Sequence, residues 1–62
     1  MTIRDRRRAL GLTQAQLAAA AGINIRQIQK IEAGEIKIEN ITLKNAKSLA
    51  DALGIQISAL LA

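Results

Sequence analysis

Arg26, Gln29 and Lys30 are the side chains of this sequence best suited to reading another molecule. At 100° per residue, a helix over residues 25–33 turns them, with Ala33, to one side and Ile28 and Ile31 to the other. An arginine and a lysine four residues apart can donate to guanine O6 and N7 from a helix lying in the major groove. The Gln29 carboxamide can pair with adenine, and Ile25 can pack on a thymine methyl. An ordinary solvated helix face has much the same composition, so these residues alone decide nothing. The segment that presents them does.

That segment reads TQAQLAAAAGINIRQIQKIE, from Thr13 to Glu32. Thr13 and Gln16 have the spacing of a capping box, in which a hydroxyl and an amide satisfy orphan backbone N–H groups reciprocally. Asn24 and Gln27 repeat the spacing with an amide at the cap. Leu12 with Leu17, and Ile23 with Ile28, are placed as hydrophobic staples. The two caps are eleven residues apart, and Gly22 between them suits a left-handed helix end. The prediction is a helix over residues 14–21 with Leu17, Ala18 and Ala21 inward, a tight turn, and a second helix over 25–33. This geometry presents a helix to the DNA major groove.

The rest of the chain must hold that pair. Thr2, with Asp5 three residues on, caps a first helix over 3–10 whose Ile3, Arg7 and Leu10 share a face. Arg4, Arg6 and Arg8 point elsewhere, and for Arg4 and Arg6 a solubilising charged surface is the favoured reading. Gly34 to Ile41 alternates as a strand would, yet has no partner strand. It is read as an extended loop with Ile36, Ile38 and Ile41 dipping into the core. A fourth helix follows Thr42 to Leu53, with Leu43, Ala46, Leu49, Ala50 and Leu53 inward, and Gln56 to Leu61 closes the core. The expected fold is all-α, one domain over 1–62 built as a compact bundle of five short helices.

Composition narrows the function. Histidine and cysteine are absent, which removes thiolate metal sites and the commonest general base. The carboxylates Asp5, Glu32, Glu35, Glu39 and Asp51 form no evident paired site, and no base is placed to activate a serine or threonine. Neither an enzyme nor a cofactor is expected. Nine basic against five acidic residues give a net charge of +4, which favours polyanions. The chain has no Phe, Tyr or Trp, and single-stranded nucleic-acid modules usually stack bases on such rings. Double-stranded DNA passes that test. No apolar run approaches the ~20 residues of a membrane span and no signal peptide is visible, so a cytoplasmic location is expected.

The segments LGLTQAQLAAAAGI (10–23), IQKIEAG (28–34) and LADALGIQISALL (49–61) resemble the Cro/repressor-type, XRE-like helix-turn-helix domains of phages and bacteria. The resemblance covers residues 10 to 61, in order and with the family's spacing, and implies a lambda-repressor-like fold. It implies that Gln14, which opens the second helix, contacts a DNA phosphate, with Thr13 and Asn24 on the backbone nearby. It places Ile25, Arg26 and Lys30 against bases, with Gln29 adjacent, and pairs Arg7 with Glu32 as an internal ion pair. A charge on the apolar face of helix one needs such a partner. The loop after the reading helix is often basic in the family. Here it is EIKIEN, which leaves Lys37 as its one phosphate-binding cation. The aromatic residue frequent in the family's last helix is replaced near Ala59.

The leading expectation is a transcription regulator, a repressor that occludes promoter DNA as a homodimer on a palindromic site. The dimer surface would be the last helix (Ile57, Leu60, Leu61) with the 34–41 loop. Competing readings are an antitoxin-like protein-interaction module on the same fold, with a toxin as partner, and a simplified or engineered scaffold. A membrane-surface role for helix one fits less well, because its arginines surround the helix instead of forming one polar face.

Overall fold

The helix starts follow from short polar side chains that cap them. The computed structural model describes residues 2–61, and the side chains of residues 2–60. Thr2 Oγ1 accepts from the Asp5 N–H at 3.0 Å and opens α1, Ile3–Ala9. Thr13 Oγ1 accepts from the Gln16 N–H at 3.0 Å, while Gln16 Oε1 accepts from the Thr13 N–H at 2.8 Å, a complete capping box at the start of α2, Gln14–Ala21. Asn24 Oδ1 accepts from the Arg26 N–H at 2.8 Å and opens α3, Ile25–Glu32. Thr42 does the same for Asn45 at 3.1 Å ahead of α4, Leu43–Leu53. The final helix, α5, is Ile57–Leu61.

Gly22 makes the tight turn possible. Its φ of 66° lies in the left-handed region, where a side chain is penalised. The Ile23 N–H then returns to the Ala18 carbonyl at 3.0 Å and the Gly22 N–H reaches the Ala19 carbonyl at 3.3 Å, two carbonyls that the helix end would otherwise orphan. Gly54 ends α4 in the same way, with Ile55 bonded back to Ala50 at 3.0 Å.

The chain is all-α, and α2 packs against both α3 and α4 while α5 closes on α4. Leu17, Ile28, Leu49 and Leu53 are fully buried at the centre, with Ala18, Ala21 and Ile23 around them. The small alanines of α2 let its neighbours approach closely. Ile3, Ile31, Ile38, Ile41, Ile55 and Leu60 pack on the margin.

Several expectations need correction. Asn24 bonds the second N–H of α3, not the third, so with Gln27 it forms a simple cap and no capping box. The segment after Gly34 is not wholly extended. Residues Ile38–Asn40 close a 3-10 turn, which lets Ile38 and Ile41 reach the core where a straight strand would have carried one of them past it. Leu43 has the phase of an inward residue but is 76% exposed. It is the first residue of α4, and its side chain tilts toward the helix N-terminus, beyond the end of the core. Leu10 lies past the last turn of α1 and is 43% exposed. The first and third helices each end one residue early, and the last begins at Ile57. The Leu61 side chain, expected on the same surface as Ile57 and Leu60, lies outside the described residues.

Candidate nucleic-acid interface

Local sequence explains why α3 has two unlike sides. Ile28 is fully buried and Ile31 half-buried, which fixes the rotation of the helix on α2. The opposite side then carries Arg26, Gln29 and Lys30, all exposed, with Ile25 beside them at 37% exposure. The four form one continuous edge, and among the described residues none of the three polar side chains is tied to the protein. They are free to meet a ligand.

The second group surrounds Glu32, the last residue of α3. Its carboxylate is 1% exposed. Arg7 Nε donates to Oε2 at 2.7 Å and Arg7 Nη2 to Oε1 at 2.9 Å, a bidentate arrangement. Arg7, itself 9% exposed, also donates from Nη1 to the Leu12 carbonyl at 2.9 Å. Gln14 Nε2 reaches Oε1 at 3.2 Å, and Arg4 Nε lies 3.5 Å from the same oxygen. The hydrogen bond from Arg7 holds the Glu32 carboxyl below the usual carboxylate range, against burial, with Gln14 and Arg4 acting in the same direction. The same bond raises Arg7 further above its already high value, so both groups stay charged.

Arg4 and Arg6 are not the free surface charges that helix one suggested. Arg4 Nη2 donates to the Glu32 carbonyl at 3.1 Å, and Arg6 Nε donates to the Leu53 carbonyl at 2.9 Å. Each supplies a donor to the C-terminal turn of a helix, where carbonyls lack intrahelical partners. Sequence reasoning missed these contacts because it saw only which way α1 faces, not which helix ends lie beside it. The available signal was generic: helix ends always need donors, and a short arginine-rich helix can supply several.

The structure groups the other expected site residues unevenly. Thr13, Gln14 and Asn24 mark the starts of α2 and α3. The caps use one acceptor site each of Asn24 and Thr13, while the Asn24 amide hydrogens and the Thr13 hydroxyl hydrogen remain as donors. Lys37 is exposed and lines a groove of about 680 Å³ with Arg4, Asp5 and Glu39 at its charged rim and Ile3, Ile31, Ile36, Ile38, Ile55 and Leu60 along its floor.

A capped helix, a glycine turn and a second helix with one buried and one exposed polar side define a helix-turn-helix module. The chain belongs to the helix-turn-helix family HTH_3, whose model matches residues 3–60. That makes it a DNA-binding domain of the transcription-regulator type, from a family of regulators and not of enzymes. Comparison with curated proteins and with solved structures gave no match. Among the described residues no helix is long and apolar enough to cross a membrane, and no cluster of acidic side chains has the arrangement of a metal site.

Proposed function

We propose that this protein binds double-stranded DNA sequence-specifically, reads the major groove with α3, and represses transcription by occluding promoter DNA. The observation that carries this reading is the exposed edge formed by Ile25, Arg26, Gln29 and Lys30 opposite a fully buried Ile28. Arg26 and Lys30 donate to guanine, Gln29 pairs with adenine, and Ile25 packs on a thymine methyl. Thr13, Gln14 and Asn24 supply neutral donors to phosphates flanking the groove, and Lys37 supplies a charge.

An eight-residue α3 is about 12 Å long at 1.5 Å per residue, so it spans only a few base pairs. So short a sequence recurs too often in a genome to mark one site, and two half-sites multiply the discrimination. The proposed unit is therefore a two-fold dimer on a palindrome with half-site centres ~34 Å apart. The proposed contact surface is α5 with the 34–41 loop, supported by the apolar groove that Ile36, Ile38 and Leu60 of these segments line together with Ile3 and Ile31.

Selection of binding sites from randomised duplexes, followed by titration of the winner at several salt concentrations, tests the reading. A palindromic consensus bound far more tightly than unrelated duplex is the expected result. Sequence-blind binding would refute base reading by α3. A single chain bound at high affinity to an asymmetric site, measured by sedimentation, would refute the dimer.

A further inference from the structure

Glu32 carries one more hydrogen bond than its ion pair requires. Arg7 already engages both carboxylate oxygens, and Arg4 lies 3.5 Å from Oε1. The additional bond, from Gln14 Nε2 at 3.2 Å, acts chiefly on Gln14. An ionised carboxylate can only accept, so the Gln14 amide must turn its nitrogen toward Glu32 and its carbonyl oxygen away. One N–H of that nitrogen is consumed, and among the described residues its other N–H has no partner. Gln14 is the first residue of α2 and Glu32 the last of α3, so the bond ties the start of one helix to the end of the other.

We propose that Glu32 is a positioning residue for DNA binding, which aims the second N–H of Gln14 Nε2 at a backbone phosphate and fixes the start of α2 relative to the reading edge of α3. The inference rests on the phosphate role given to Gln14 above. A glutamine amide free in solvent samples several rotamers and both faces, and one of those faces turns a carbonyl oxygen toward the phosphate. Holding the amide beforehand removes that repulsive face. It also spares the cost of ordering the side chain on binding, worth about two- to tenfold in affinity.

Glu32 alone cannot be removed without stranding Arg7, so the informative variant replaces both charges together, Arg7→Met with Glu32→Leu. Affinity for a duplex taken from binding-site selection would be measured for the wild type, Gln14→Ala, the Arg7→Met/Glu32→Leu pair, and all three changes combined. Gln14→Ala should weaken binding about tenfold, as expected for a hydrogen bond to a charged group. The charge-free pair should weaken it about two- to tenfold, and the triple variant should bind like Gln14→Ala alone. A triple variant showing the full product of the two losses would overturn the positioning role while leaving the phosphate contact intact. No loss in Gln14→Ala would remove the phosphate contact and the inference with it. A second measurement needs no DNA: the Gln14 side-chain amide protons, resolved by nitrogen-15 NMR, should be displaced from exposed-glutamine shifts in the wild type. They should collapse to exposed-glutamine values in the charge-free pair, and unchanged spectra there would overturn the inference independently.

Discussion

Replacing Glu32 by alanine should remove a large part of the protein's stability. The substitution deletes two hydrogen bonds from Arg7, one from Gln14 and the ion pair with Arg4. It leaves a guanidinium that is 9% exposed with only the Leu12 carbonyl as partner. Stranding one member of a buried pair costs about 3–5 kcal/mol. A chain of 62 residues, at about 0.05–0.15 kcal/mol per residue, has only about 3–9 kcal/mol in total. At about 4–8 °C per kcal/mol, the melting temperature should fall by at least about 12 °C. The chain has no Trp or Tyr to fluoresce, so far-ultraviolet circular dichroism on heating and in urea is the suitable assay. The Arg7→Met/Glu32→Leu pair is the control, and it should stay within about 1 kcal/mol of the wild type or exceed it, because no charge is left stranded. A Glu32→Ala loss below ~1 kcal/mol, the size of a surface pair, would show that the burial argument is wrong.

Other substitutions separate the remaining roles. Arg26→Ala should cost about 1–3 kcal/mol on the selected duplex and relax preference at one position, whereas Lys37→Ala should weaken all duplexes alike and lower the salt slope by about one. Equal, sequence-blind losses from both would remove Arg26 from the base contacts. Because the Glu32 carboxyl is held below its ordinary range, chiefly by Arg7, its contribution should be complete above that range and lost progressively as pH falls from there through the lowered folded value. Urea midpoints from pH 7 down to pH 3 should therefore drop further in the wild type than in the Arg7→Met/Glu32→Leu pair. A parallel fall would contradict the assignment. Leu43→Lys should change stability by less than ~0.5 kcal/mol, while Leu49→Ala, at the fully buried centre, should cost about 2–5 kcal/mol. Arg6→Ala should lower stability by about 1 kcal/mol through loss of its bond to Leu53 and leave the salt slope of duplex binding unchanged.

What could be read in the sequence was mainly what depends on near neighbours. Thr13 and Gln16 are three residues apart, and no distant contact competes with the box they form, so the start of α2 followed from spacing alone. Gly22 and Gly54 marked helix ends for a similarly local reason, a backbone angle that other residues resist. Asn24 capped its helix but accepts from the second N–H of the turn, a choice that spacing alone does not encode. Periodicity failed at the ends of elements. Leu43 has the phase of a core residue but sits where the core has stopped. The contacts of Arg4 and Arg6 span 28 and 47 residues of chain, and no pattern within one helix encodes them. The groups around Glu32 came partly from a rule, that Arg7 on an apolar face needs a counter-charge, and partly from the family resemblance. The bond from Gln14 to the same carboxylate was visible only in the fold.

These contacts alter what the basic composition means. A net charge of +4 suggested a surface made for polyanions, yet Arg4, Arg6 and Arg7, three of the nine basic residues, are committed to helix ends and to Glu32. Arg6 and Arg7 in particular are held by the interior and have little reach toward a phosphate. The cations left for DNA are spread over Arg8, α3, the following loop and α4, and that loop balances Lys37 with Glu35 and Glu39. The neutral donors at Thr13, Gln14 and Asn24 can grip phosphates, but only contacts that neutralise phosphate charge release counterions and steepen the salt dependence. A protein arranged this way should have weaker non-specific affinity than its composition implies. On the proposed reading more of its grip comes from donors held in place, and the bond from Gln14 to Glu32 is the one such restraint that the variants above test.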